Sequence, residues 1–202
     1  MSEATLQARS PLTGVALPGR YGRIDGAPGV LITERQACAL ATIIARRGRT
    51  GDVLAALSRA YGIAAIDGAK RVAAGGVAVA GISPGQWLAQ ADALATPDFV
   101  AQLKRSLDGI AAVSDQSDSR IILHVSGPRA RDALAKGVPI DLDASAFPAG
   151  SVAQTAAAHI GLQIACIDAA PTFEVLAAQS FAASFWSWLT ASAAEFGYEI
   201  GA

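Results

Sequence analysis

Between residues 71 and 178 the apolar stretches are short and follow one another across turn residues, which confines the chain to mainly antiparallel sheets. Residues 71–74 and 77–82 read as strands joined by Gly75-Gly76, a favoured hairpin pair, and Ser83-Pro84-Gly85 leads into a third strand over 86–90. The arrangement returns further on. After the break at Pro148-Ala149-Gly150, strands are predicted near 152–158, 160–167 and 172–178. In both sets the third strand follows a proline turn, Pro84-Gly-Gln-Trp-Leu-Ala-Gln90 in one and Pro171-Thr-Phe-Glu-Val-Leu-Ala177 in the other.

Helical segments frame each set. Ala37, Leu40, Ala41 and Ile44 recur at i, i+3, i+4 and i+7, which predicts a helix over 34–47 with Thr33 as N-cap and Gly48 as stop. Arg46, Arg47 and Arg49 would then sit at the negative end of its dipole. A short helix over 53–61 ends at Gly62, one over 98–107 stacks Phe99, Leu103 and Leu107, and a strand follows near 110–113. The second set opens with a strand over 121–125 and a helix over 128–136 stopped by Gly137.

A last, aromatic-loaded helix closes the second set. It carries Phe181, Phe185, Trp188 and Leu189 on one stripe, with Phe196 close to the same meridian. Trp186 projects away from that stripe and needs its own cover, from a wrapped core or from another protein. The order helix, three strands, helix thus occurs twice. The expected fold class is α+β, two fused helix and antiparallel-sheet sandwich halves over 33–119 and 120–202. Before them lies an extended arm over 1–32, in which Pro11, Pro18 and Pro28 prevent a long helix.

At 202 residues the chain can bury roughly 70% of the surface its unfolded form exposes. A formal net charge of −1 with 16% charged residues offers no concentrated basic face for nucleic acid. No apolar run approaches the roughly 18 residues of a membrane span, and the start lacks the basic and apolar blocks of a secretory signal, so a cytoplasmic chain is expected. Cys38 and Cys166 have no paired spacing and read as small buried hydrophobes in helical and strand contexts.

Catalytic patterns are scarce. Gly75, Gly76 and Gly81 precede a strand rather than a helix, which removes the dinucleotide-loop context. Ser126-Gly127-Pro128-Arg129 does lie between strand and helix, where it could hold an anion, although proline at the first helical position explains it structurally. His124 and His159 are too few for a histidine metal site. Ser126, His159 and Asp168 make a nucleophilic triad only by their letters, and Asp115 with Asp118 fits a polar turn. No catalytic, cofactor-binding or metal residue is expected, and Trp186 is the one candidate for a partner interface.

Four segments, in order, carry a family resemblance. They are His124-Val-Ser-Gly-Pro-Arg-Ala-Arg-Asp-Ala-Leu-Ala-Lys-Gly-Val-Pro-Ile-Asp-Leu142, Phe147-Pro-Ala-Gly150, Gln154-Thr-Ala-Ala-Ala-His-Ile-Gly161 and Ser184-Phe-Trp-Ser-Trp-Leu-Thr-Ala-Ser-Ala-Ala-Glu-Phe-Gly-Tyr-Glu-Ile200. From about residue 30 onward the chain resembles the gamma subunit of heterotetrameric sarcosine oxidase. The resemblance implies a bacterial cytoplasmic complex that oxidatively demethylates sarcosine to glycine, releases hydrogen peroxide and passes the one-carbon unit to tetrahydrofolate. It implies alpha, beta and delta subunits as partners, chiefly the folate-binding large subunit, with FAD, FMN, NAD and zinc held by those other subunits and no cofactor in this chain. Its fold would resemble the folate-binding domain of aminomethyltransferases, echoed at Val113-Ser-Asp-Gln-Ser117 and Leu123-His-Val-Ser-Gly-Pro128. No folate-clamping carboxylate carries over, so the implied role is structural, docking on the large subunit; the alternative is an independent folate-binding, aminomethyltransferase-like module.

Overall fold

The computed structural model describes residues 9 to 201, so residues 1–8 of the expected arm lie outside the described part. In chain order the elements are β1 (Gly19–Tyr21), β2 (Val30–Glu34), β3 (Cys38–Ala45), α1 (Thr50–Tyr61), β4 (Arg71–Ala74), β5 (Val77–Ser83), β6 (Gln86–Asp92), α2 (Phe99–Ser106) and β7 (Ala111–Asp115). They continue as β8 (Arg120–Ser126), α3 (Ala130–Ala135), β9 (Val152–Ala157), β10 (Ile160–Cys166), β11 (Phe173–Ala178), α4 (Ala182–Ala193) and β12 (Tyr198–Ile200). Five strands form one sheet in the order β4-β5-β6-β3-β7, and seven form the other in the order β1-β12-β2-β8-β11-β10-β9. Every pairing is antiparallel except β12 with β2, as the closely spaced strands of an α+β chain require. None of the described helices is long and apolar enough to cross a membrane.

The helix expected over 34–47 is a strand. β3 is flanked by β6 and β7, and its residues alternate between two cores. Ala39, Ala41 and Ile43 pack with Val53 and Leu57 of α1 and Phe99 and Leu103 of α2, whereas Leu40 turns to the opposite face and meets Leu88, Ile122 and Leu176. A central strand covered on both faces needs a continuous apolar run, and the small alanines in this run imitate a helical stripe. Arg46 and Arg47 therefore lead into α1 rather than ending a helix, and Arg49 pairs with Asp52 at 2.9 Å in the first turn of α1.

This correction sharpens the internal repeat. Each half runs strand, helix, three strands, helix, strand, from β3 to β7 and from β8 to β12. The order β4-β5-β6-β3 in one sheet matches β9-β10-β11-β8 in the other. The halves differ at one place: β7 lies antiparallel beside β3, but the corresponding slot beside β8 is taken by β2, and β12 moves one position outward. The proline-rich arm thus supplies sheet strands, Gly19–Tyr21 and Val30–Glu34.

Alternation decides what each face carries. Ile121, Leu123 and Val125 of β8 and Phe173, Val175 and Ala177 of β11 share a core with Leu134 of α3 and Phe185 and Leu189 of α4. Burying a side chain of this size contributes roughly 1.5–3 kcal/mol. The intervening residues of both sheets face each other, with Leu40, Leu88, Ile122 and Leu176 in one apolar cluster and Ala80, Val152 and Ala165 in another. The result is helices, sheet, sheet, helices.

The aromatic helix departs from its expected stripe in one respect. The chain enters α4 through a 3-10 turn over Gln179–Phe181, so Phe181 leaves the stripe and is 50% exposed. Phe185 and Leu189 are fully buried, and Trp188 is half-buried against Gly137, where an added Cβ would come 2.6 Å from the indole.

Candidate functional site

The face-to-face layer between the sheets is largely apolar, and among the described residues it buries one charged group. Glu174 of β11 shares its face with Leu176 two residues on, and it is 1% exposed. A carboxylate cannot stay charged there without partners. Three other strands supply them. His124 is its cross-strand neighbour on β8, with Nε2 3.2 Å from Oε2. Gln90, two residues past Leu88 on β6, donates its amide to Oε1 at 2.9 Å and to Oε2 at 2.8 Å. Arg71 of β4, opposite Ala80 of β5, donates from Nε to Oε1 at 3.0 Å.

Burial alone would raise the Glu174 pKa. The His124 hydrogen bond, the Arg71 charge and the Gln90 amide outweigh it and hold the carboxyl down at about 2. A carboxylate only accepts, so the contact with His124 requires the tautomer that carries the proton on Nε2. Both oxygens are engaged by this chain's own side chains, which leaves a fully paired anion rather than a general base or a ligand clamp.

Two clefts open beside this centre. The first, about 520 Å³, runs from Arg71 and Gln90 past the Gly75-Gly76 hairpin to Arg35, Cys38 and Asp92. The second, about 490 Å³, shares Arg35 and Cys38 and continues to Glu34, Asp118, Arg120 and Gln179. Ala37, in the connection that carries the chain from one sheet to the other, is held at φ 53, a conformation costing an alanine about 1–2 kcal/mol. Cys38, the first residue of β3 rather than part of a helix, has its thiol pKa raised by burial; burial raises that of Cys166 as well.

The structure places the other sequence candidates apart. His159 sits in the β9–β10 turn at φ 70, at the opposite end of β10 from Asp168; a strand of that length spans roughly 20 Å. Ser126, His159 and Asp168 therefore do not converge. Asp168 Oδ1 accepts the amides of Ala170 and Thr172 at 2.9 and 2.8 Å, and Asp115 Oδ1 accepts that of Ser117 at 3.0 Å, while Asp118 is exposed. Both are turn-forming acids.

Arg129 pairs with Asp132 at 2.6 Å, lies over the Phe196 ring at 4.5 Å and donates its amide to Gly29, so the Ser126–Arg129 loop is spent on packing. Among the described residues no three His, Cys, Asp or Glu side chains gather as for a metal. Trp186 is 6% exposed and lies in the same core as Phe185 and Leu189, so its cover comes from this chain.

Sequence reasoning singled out His124 but missed Glu174, Arg71 and Gln90. One signal was present. Glu174 is the lone charged residue in Phe173-Glu-Val-Leu-Ala-Ala178, a strand otherwise apolar on both faces, and such a residue must have buried partners.

Comparison with known proteins agrees with the two-sheet architecture. A heterotetrameric sarcosine oxidase from Corynebacterium sp. U-96, solved in complex with pyrrole 2-carboxylate, is similar over 94% of this chain and 96% of that one, at 24% identity and a TM-score of 0.79. An aminomethyltransferase T of the glycine cleavage system from Bartonella henselae is similar over 86% of this chain and 48% of that one, at 13% identity and a TM-score of 0.64. No curated protein matches. The family described as sarcosine oxidase, gamma subunit, matches residues 47–195, which takes in the repeat from α1 to α4 and all four members of the buried polar centre. The chain belongs to the sarcosine oxidase gamma subunit family.

Proposed function

We propose that the chain is a structural subunit of a heterotetrameric complex in the bacterial cytoplasm that oxidises sarcosine to glycine, with hydrogen peroxide as product and tetrahydrofolate as acceptor of the one-carbon unit. Its partners are the alpha, beta and delta subunits, chiefly the folate-binding large one, and FAD, FMN, NAD and zinc reside in them. Family membership supports a place in the complex. The observation that carries the structural role is the closed state of Glu174. An aminomethyltransferase-like fold is kept, but the one buried acid among the described residues is consumed by Arg71, Gln90 and His124, and Asp92, which lines the cleft beside it, accepts the backbone amides of Leu94 and Ala95.

The test is to purify the tagged chain from its own cells, record the absorption spectrum and measure sarcosine-dependent peroxide. A yellow complex with three stoichiometric companions and peroxide formation is expected. The isolated chain should neither turn over sarcosine nor be protected from unfolding by tetrahydrofolate. Turnover or protection in the isolated chain would overturn the structural reading in favour of an independent folate-binding module.

A further inference from the structure

The second cleft carries positive charge that the other described residues do not pair. Arg120, at the start of β8 opposite Ala178, has a buried Nε with no hydrogen-bond partner among the described residues. Arg35, on the strained connection between the sheets, makes no ion pair among the described residues. Both line the same cleft. Of the two acids beside them, Glu34 is taken up by the Ser10 hydroxyl and the Gln36 amide, and Asp118 makes no ion pair among the described residues. By contrast, Arg71 in the neighbouring cleft donates from Nε to Glu174 at 3.0 Å. A buried guanidinium nitrogen without an acceptor is uncommon in a folded chain and calls for one.

Two large apolar side chains stand exposed within two residues of the lining of the same cleft. Leu94, next to the lining residue Ala93, is 84% exposed, and Phe181, two residues past the lining residue Gln179, is 50% exposed. A large aromatic and a leucine flanking unpaired guanidinium groups is the composition of an interface centre rather than of ordinary surface. A small anion would use the arginines but leave Phe181 and Leu94 unexplained.

We infer that this cleft is the docking site for an acidic segment of a companion subunit, its carboxylates meeting Arg35 and Arg120 and its apolar side chains covering Phe181 and Leu94. The inference rests on the reading of the chain as an assembly subunit. It also moves the partner-facing aromatic of the last helical segment from buried Trp186 to exposed Phe181.

The test uses the full chain co-expressed with its companion subunits, comparing the parent with Arg35→Glu, Phe181→Ser and Arg120→Leu. Arg35 and Phe181 lie on a loop and at an exposed position, so those two variants should melt with the parent when isolated even if Arg120→Leu does not. The expected result is companion binding weakened at least about ten-fold in Arg35→Glu and Phe181→Ser, and parental binding that falls with rising salt. Undiminished binding in both variants, with the parent assembling normally, overturns the docking site alone. A parent that recruits no companions overturns the assembly reading with it. If inorganic phosphate raises the melting temperature of the isolated parent but not of Arg35→Glu, and companion binding is unchanged, the cleft is a small-anion site and the docking proposal fails.

Discussion

Arg71 on the edge strand of the smaller sheet and Glu174 on an inner strand of the larger one meet at 3.0 Å, so one charged contact ties the two halves across their apolar layer. Because Gln90 and His124 converge on the same carboxylate, replacing it strands three polar side chains at once. Glu174→Gln should lower stability by about 3 kcal/mol, read as a shift in the urea midpoint with little change in slope.

The same carboxylate makes the fold acid-sensitive. Its pKa is about 2 in the folded chain against 4.5 for an ordinary glutamate, so its contribution is complete above pH 4.5 and is lost as the pH falls toward 2. A depression of this size corresponds to about 3 kcal/mol over that window. Urea midpoints measured from pH 6 to 2.5 should fall steeply below 4.5 in the parent and more gently in Glu174→Gln.

Gly137 lies flat against Trp188, and a methyl group there would come 2.6 Å from ring atom Cζ2. Gly137→Ala should therefore cost about 1–3 kcal/mol, as overpacking does. Gly161, with open space around it, gives the control: Gly161→Ala should leave the thermal midpoint close to that of the parent.

The β9–β10 turn holds Ala158 at φ 47 and His159 at φ 70, left-handed conformations that suit asparagine and glycine. Ala158→Asn with His159→Gly should stabilise the chain by about 1 kcal/mol, raising the thermal midpoint by about 2–4 °C. An unchanged or lower midpoint would mean that this turn is not under strain.

Trp186 is covered by its own chain, so Trp186→Ala should act on the isolated chain, costing about 3–5 kcal/mol in chemical unfolding. A normal unfolding midpoint combined with failure to assemble would return Trp186 to the partner interface.

Most strands between residues 70 and 178 were legible because they are short, apolar and bounded by turn residues, as at Gly75-Gly76 and Ser83-Pro84-Gly85, whereas the three-residue β12 after the last helix was not expected. β3 was misread because a strand buried on both faces carries no alternation to set against the helical spacing of Ala37, Leu40, Ala41 and Ile44. Phe181 was misplaced because a 3-10 turn shifts the phase of the helix that follows it. The buried quartet was invisible as a motif, since positions 71, 90, 124 and 174 come from four strands and meet only when the sheets stack.

The pairing order β1-β12-β2 has a consequence for how the protein is made. On the ribosome the strand Gly19–Tyr21 emerges early yet has only Tyr198–Ile200 to pair with, and at ordinary synthesis rates it waits roughly 10–35 s for that partner. Until then the outer side of Val30–Glu34 is a bare strand edge in a crowded cell, open to pairing with another chain, and slow codons anywhere between the two segments would lengthen the exposure.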